Sequence, residues 1–138
     1  MENGRKEIWI SDLVGKAKDE MGYISLLGID KVFVEGDTLY LSLEITERHL
    51  NALGCVHGGL MYTLCDQAVG AYDIYIGRKA VGMDVNMHYY SAGQKGDVLT
   101  AIVHTRKLGR KTGVHWVELK NQNEKLLADA TITSFYFD

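Results

Sequence analysis

The chain has 138 residues, 24% of them charged and 46% hydrophobic, with a net charge of −3: the size and balance of one ordinary globular domain with room for a core. The mild acidity argues against a nucleic-acid partner, and no apolar run approaches the roughly 20 residues that span a membrane. Two cysteines, Cys55 and Cys65, form neither a disulfide framework nor a metal spacing, and MENGRKEIWI has no signal-peptide h-region, so the expected setting is a reducing cytoplasm.

Residues 9–21, WISDLVGKAKDEM, place Ile10, Leu13, Val14, Ala17 and Met21 at helical spacing. The spacing predicts a short N-terminal helix, with Ser11 or Asp12 as its cap and Gly22 at its end. In KVFVEGDTLYLSLEI, Val32 and Val34 alternate with Lys31, Phe33 and Glu35. After a turn at Glu35-Gly36-Asp37, Leu39, Leu41 and Leu43 alternate with Tyr40, Ser42 and Glu44, which makes a β-hairpin. A long helical segment follows. Four further runs then read as strands: AVGMDVNMHYY, DVLTAIVHTRKL, TGVHWVELKN and LLADATITSFYF, joined by SAGQKG, GRK and NQNEK. Consecutive strands with tight turns predict an antiparallel sheet in chain order. One long helix against five or six such strands is an α+β layer. No repeat, linker or low-complexity segment divides residues 1–138, which read as one domain.

The helical segment lies in NALGCVHGGLMYTLCDQAVGA, residues 51–71, where Asp66 is the one side chain surely charged at neutral pH. On a helical wheel Leu60, Met61, Leu64, Cys65, Ala68, Val69, Ala71 and Tyr72 cover a wide apolar arc, with Tyr62 at its edge. Gly59, Thr63, Asp66, Gln67 and Gly70 fill the remaining sector. A solvated helix face normally carries Lys, Glu or Arg, and none occurs between His49 and Tyr72. Each glycine on the stripe costs about 1 kcal/mol against alanine, a cost that close approach by another backbone would justify. The expectation is a stripe facing a protein surface or a cleft, with Asp66 desolvated and its pKa raised. A capped, partly wet Asp is the plainer alternative. His57-Gly58-Gly59 falls at the helix start, where backbone N–H groups lack intrahelical partners at the positive end of the dipole. Glycine lets a ligand approach that backbone closely, and such a place can hold a carbonyl oxygen as it becomes an oxyanion. A bare loop-to-helix joint would use the same three residues.

The run from Asn51 to Asp66, N-A-L-G-C-V-H-G-G-L-M-Y-T-L-C-D, resembles the signature of hotdog-fold acyl-CoA thioesterases of the phenylacetate-pathway (PaaI-like) subfamily, N-x-x-G-x-x-H-G-G-x-x-x-x-x-x-D. The resemblance continues in V-G-M-D-V-N-M-H-Y-Y-S, G-D-V-L-T-A, G-R-K-T-G and A-D-A-T-I-T-S-F, and covers roughly residues 40–137. It implies a hotdog fold, a long central helix wrapped by a curved five- to six-stranded antiparallel sheet, filling one domain over 1–138. It also implies a homodimer, paired again into a tetramer. Asp66 would be the nucleophile or the general base for water, and the Gly58 amide would polarise the thioester carbonyl. Asn51 and His57 would position the thioester and steady the leaving thiolate, and Gly59 would give clearance. Acyl-CoA is the implied substrate, coenzyme A a product rather than a cofactor. Many relatives carry Ser or Thr where Gly82 stands, so water placement at Asp66 falls to another group; Thr63, one turn earlier, is the substitute. Proline commonly follows the serine that matches Ser91; here it is Ala92. Met61, Tyr62 and Met83 would line the acyl pocket. Arg110, Lys111 and Thr112 of G-R-K-T-G would lie near the nucleotide end of coenzyme A, whose phosphates take cations. A solvated turn accounts for the same basic residues, with Arg106 and Lys107.

Five histidines are present, but no H-x-x-x-H or Cys/His cluster appears, so no metal is expected. Cys65 adjoins Asp66 but falls on the apolar arc, as a small buried hydrophobe does. Two other functions suit a hotdog domain: a hydratase or dehydratase, which needs a His with an acid across the site, and a non-catalytic acyl-CoA-binding domain, which should lack the carboxylate. Asp66, nine residues after His57, favours the hydrolase.

Overall fold

The computed structural model describes residues 4–138. Among the described residues seven strands form one antiparallel sheet: β1 (Lys6–Trp9), β2 (Lys31–Glu35), β3 (Thr38–Glu44), β4 (Ala80–Tyr89), β5 (Val98–Leu108), β6 (Thr112–Lys120) and β7 (Leu126–Tyr136). Alternation of buried and more accessible residues builds β2, β5 and β6. In β6, Gly113, His115, Val117 and Leu119 all point inward, while every residue between them lies on the outer face. The sheet curves around the long helix α3 (Gly58–Tyr75), which packs on β3, β4, β5, β6 and β7. The eight residues of the expected apolar arc, Leu60 through Tyr72, are all buried in that contact. Burying such side chains contributes about 1.5–3 kcal/mol each, which explains why a helix with two glycines on its other face still forms.

The N-terminal region departs from the single helix expected over residues 9–21. Lys6–Trp9 instead pairs with β2 as a seventh strand, with Ile8 opposite Val32. Helix α1 (Ile10–Val14) stops after one turn because Gly15 adopts φ 70° and donates its N–H to Ser11 O. Neither Ser11 nor Asp12 caps it: Trp9 occupies the N-cap without a side-chain bond. The Ser11 amide and hydroxyl both donate to Asp30, each at 2.8 Å, tying α1 to the start of β2. Gly22, at φ 66°, precedes a second short helix, α2 (Tyr23–Leu27), rather than ending the first.

The sheet order is β1-β2-β3-β5-β6-β7-β4. The predicted chain-order neighbours hold except for β4, which crosses the sheet to pair with β7 and leaves β3 beside β5. SAGQKG is therefore part of a crossover and not a hairpin turn. As a result β4 is an edge strand that lies along the stripe side of α3, and its pairing with β7 shifts register at Met83, between Gly82 and Asp84.

Candidate active site

Glycines at the entrance of α3 leave its first turn open. His57 is the N-cap, and its Nδ1 accepts the Gly59 N–H at 2.8 Å. A backbone donor on Nδ1 fixes the neutral ring with its proton on Nε2, so that edge of His57 is a donor. Gly58 is the first helical residue, and its N–H has no intrahelical acceptor by position. Its carbonyl accepts the Tyr89 hydroxyl at 3.1 Å. A Cβ at Gly58 would meet that tyrosine ring at 3.6 Å, an ordinary contact.

Asn51 organises the loop that leads in. Its Oδ1 accepts the amides of Leu53 at 2.9 Å and Cys55 at 3.2 Å, and its Nδ2 rests 3.4 Å from Cys55 Sγ. A bridge between Leu50 and Val56 closes the loop, and the His57 amide donates to His49 O at 2.9 Å. Asn51 thus holds the shape of the loop that enters α3.

Two turns further, Asp66 sits on the stripe with Gly59, Thr63, Gln67 and Gly70, none of which is buried. Asp66 is solvent-exposed in the single chain, yet partial desolvation by its neighbours still pushes its carboxyl above the ordinary carboxylate range, with no cation or donor among the described residues offsetting it. Gly82 faces it from β4: a Cβ there would stand 3.4 Å from Asp66 Oδ1. The Thr63 hydroxyl donates to Gly59 O at 2.9 Å and meets the Tyr23 hydroxyl at 3.0 Å, so its own proton is engaged and one acceptor position is left toward a water. Cys65 is buried on the opposite side of the helix, and burial with the nearby Asp129 and Asp66 carboxylates pushes its thiol up to about 12. It stays a thiol, which excludes it as a nucleophile.

A cavity of about 230 Å³ runs from Asp66 and Gly82 over Gly70 to Asp73 and Ser134. Asp73 escaped the sequence reading, although it lies seven residues after Asp66 on the same helix face. It is 3% exposed and accepts the Ser134 hydroxyl at 2.7 Å and the Tyr136 hydroxyl at 3.2 Å. Burial and that carboxylate push Tyr136 up to about 12. Met83 stands on the β4 bulge with more than half its surface exposed, beside the edge and not in this cavity.

Gly109, Arg110 and Lys111 form the β5–β6 turn, with both cations exposed, and Thr112 opens β6. Arg78, which the sequence reading also passed over, fixes this turn by donating to Arg110 O at 2.9 Å and Gly109 O at 3.4 Å. The Arg78 guanidinium is held in turn by Asp138 at 2.7 Å. The turn lies at the C-terminal end of α3, so one chain separates its cations from the Gly58 amide by the whole helix. Among the described residues no group of three or more His, Cys, Asp or Glu is arranged to hold a metal.

The chain matches the model of the Thioesterase superfamily over residues 53–128, which spans the helix entrance, Asp66 and the turn at 109–112. It is 31% identical over 102 residues to the acyl-coenzyme A thioesterase PaaI of Escherichia coli, covering 74% of this chain and 73% of that protein. The structure of E. coli PaaI superposes with a TM-score of 0.80 at 28% identity, covering 87% of each chain. A Streptococcus mutans protein solved with acetyl-CoA bound superposes at 0.71 with 34% identity, covering 75% of this chain and 83% of that one. With more than half its length matched by the family model and its helix-in-sheet architecture shared with these neighbours, the chain belongs to the Thioesterase superfamily and has the hotdog fold.

Proposed function

We propose that the protein hydrolyses acyl-CoA thioesters, with Asp66 as nucleophile or general base and the Gly58 amide as the donor that receives the carbonyl oxygen. One observation carries this reading: a single helix bears an open N-terminal amide and, two turns on, an accessible carboxylate raised by partial desolvation, with no partner among the described residues to neutralise it. A base with a pKa raised toward the working pH is better placed to take a proton from water. An amide at the positive end of a helix stabilises charge as it develops on the thioester oxygen. In the water route, Asp66 accepts the proton of the attacking water as the C–O bond forms. The tetrahedral oxyanion then collapses, the C–S bond breaks, and the thiolate leaves with a proton returned from Asp66. His57, with its Nε2–H free to donate, steadies the departing sulfur.

The two ends of this reaction do not meet within one chain. Gly58 and Asp66 are eight residues apart, about 12 Å along the helix axis, whereas the carbonyl must lie within roughly 3 Å of both. An antiparallel second copy brings the partner's Gly58 to Asp66 and completes the site. The names of the relatives support acyl-CoA as substrate, PaaI being an acyl-CoA thioesterase and the S. mutans protein holding acetyl-CoA.

The test is free-thiol release over a panel of aromatic and aliphatic acyl-CoAs, for the wild type and Asp66→Asn. The amide keeps the size but neither attacks nor accepts a proton, so a loss of about 10²–10⁴ in kcat is expected. A variant retaining more than half of wild-type kcat on its best substrate removes Asp66 from the mechanism.

A further inference from the structure

Tyr89 ends β4 where that edge strand meets the entrance of α3, and the mechanism above gives it no task. Its hydroxyl donates to Gly58 O at 3.1 Å. Two of its ring carbons lie 3.6 Å from where a Cβ on Gly58 would stand, so the ring rests close beside that glycine. The strand end is itself anchored. Tyr89 pairs with Ala128 of β7, the Tyr90 amide donates to Leu127 O at 2.8 Å, and the Tyr90 hydroxyl donates to Asp129 at 2.8 Å. A second tie lies just beyond it. The Val56 amide donates to Gly93 O at 2.9 Å, and a Cβ on Gly93 would stand 2.8 Å from a Val56 methyl, so this approach needs glycine.

The first turn of α3 needs such a hold. Consecutive glycines, Gly58 and Gly59, give it the most permissive backbone a chain can have. The peptide that joins them is nevertheless held at both of its polar atoms. His57 Nδ1 accepts its N–H at 2.8 Å, and Tyr89 donates to its oxygen. A carbonyl has two lone pairs, so the Tyr89 bond adds to the ladder bond that Gly58 O takes by its place in the helix. The Gly58 N–H lies on the neighbouring peptide plane, joined to this one through a single Cα, so fixing one plane restricts the other. Partial desolvation, with Cys65 and Tyr62 nearby, raises the Tyr89 pKa above the ordinary phenol value, and the hydroxyl stays a donor through the neutral range.

We propose that Tyr89 is a positioning residue: from β4 it holds the Gly58–Gly59 peptide so that the Gly58 N–H is aimed at the thioester oxygen before substrate arrives. This rests on the acyl-CoA reading above. A donor already in place costs no reorganisation as charge develops on that oxygen. The contact therefore serves the transition state more than the bound substrate, and its loss lowers kcat while leaving KM in place. Tyr89 acts through Gly58 and not by contact with the reacting atoms.

Free-thiol release by the full chain tests this, with Tyr89→Phe and Tyr89→Leu beside the wild type and Asp66→Asn. Phenylalanine keeps the ring against Gly58 and removes only the hydroxyl; leucine removes both. Melting and sedimentation are recorded for each protein, and rates are taken in the cold so that a lowered Tm does not enter them. Tyr89→Phe should lose about three- to tenfold in kcat, the worth of one hydrogen bond. Its KM should not change, and the acid limb of its pH profile, which belongs to Asp66, should stay in place. Tyr89→Leu should lose at least as much. Wild-type kcat in Tyr89→Phe, with or without a lower Tm, makes the contact structural and overturns the proposal. A raised KM at unchanged kcat does the same, by placing the hydroxyl on the bound substrate. So does a shifted acid limb, which places its effect at Asp66, and so does a loss that appears only as the assembly dissociates on dilution. Each of these, in a wild type that hydrolyses an acyl-CoA and loses that activity in Asp66→Asn, leaves the thioesterase reading standing. A wild type that hydrolyses none of the acyl-CoA panel removes that reading and the proposal with it.

Discussion

At the scale of single residues, the raised Asp66 pKa links stability to activity. Its carboxyl holds a proton more tightly folded than unfolded. The stabilisation this gives is fully present below the ordinary Asp value of about 3.9 and is lost as pH rises through the folded value. At neutral pH the ionised group is therefore a burden on the fold, and Asp66→Asn should melt no earlier than wild type there, with any gain disappearing at acid pH. Activity runs the other way. The base form is needed, so kcat/KM should fall as pH drops through the raised value, placing the acid limb above about 3.9. Gly82 offers a way to move that limb. A Cβ there meets Asp66 Oδ1 at 3.4 Å, so Gly82→Ser sets a hydroxyl where it can donate to the carboxylate. Bonding to the charged form favours it, and the acid limb should shift to lower pH. A limb that stays in place shows that the serine does not reach Asp66. Gly58→Val tests the other end. One added carbon has room against Tyr89, so the fold should survive while the methyls crowd the carbonyl at the donor amide. The expected loss in kcat is about 10², on the scale of removing one oxyanion donor. A variant that melts early yet turns over normally when cold would make Gly58 purely structural.

At the scale of elements, what the sequence announced and what it concealed follow from the range of the interactions. The apolar arc of α3 and the alternation in β2, β3, β5, β6 and β7 are local patterns, and each matched a buried face. The N-terminal helix was misread because Ile10, Leu13 and Val14 keep helical spacing for one turn, while a distant partner, Asp30, takes Ser11 and Gly15 ends the turn. The crossing of β4 to β7 was hidden for the same reason: a six-residue connection reads as a turn, and only packing on α3 decides which edge the strand joins. Asp66 and the entrance glycines were legible because their oddity is compositional. Asp73 and Arg78 were not, since their roles rest on Ser134, Tyr136, Gly109 and Arg110, some thirty or more positions along the chain. The stripe itself gives a prediction at this scale. A Cβ at Gly70 meets nothing within 4 Å, and alanine is favoured in a helix by about 1 kcal/mol. In a lone chain Gly70→Ala should stabilise. If the stripe lies against a second helix, the same methyl intrudes on it. We expect Gly70→Ala to dissociate at protein concentrations where wild type stays dimeric, as seen by sedimentation on dilution. An unchanged dimer with a higher Tm would mean that the stripe faces water.

At the scale of the whole molecule, one face concentrates features that a lone chain leaves unsatisfied. The stripe of α3 lies beside β4, an edge strand whose open ladder invites pairing, and Val81, Met83 and Tyr89 on that strand are each more than half exposed. Placing a second copy there across a two-fold axis is an isologous contact, and it makes two sites per dimer. Each site then takes Asp66 from one chain and Gly58 from the other. The β5–β6 turn with Arg110 and Lys111 lies beyond Asp66 toward the C-terminal end of α3, on the side away from that chain's own Gly58. The acid and the cations would thus come from one protomer and the oxyanion donor from its partner. Sharing of this kind can be measured with two inactive proteins. One carries Asp66→Asn, and the other a disabled entrance with Asn51, His57 and Gly58 replaced. Unfolded and refolded together in equal amounts, they pair at random, so about half the dimers are mixed. A mixed dimer holds one site with both good halves and one with neither. The mixture should therefore recover about a quarter of wild-type activity per chain, whereas each parent stays near zero. A site contained within one chain predicts no recovery at all, since every protomer would lack one half. Mixed dimers that are shown to form yet remain as inactive as their parents would end the case for a shared site, and with it the account of why Gly58 and Asp66 can stand about 12 Å apart on one helix.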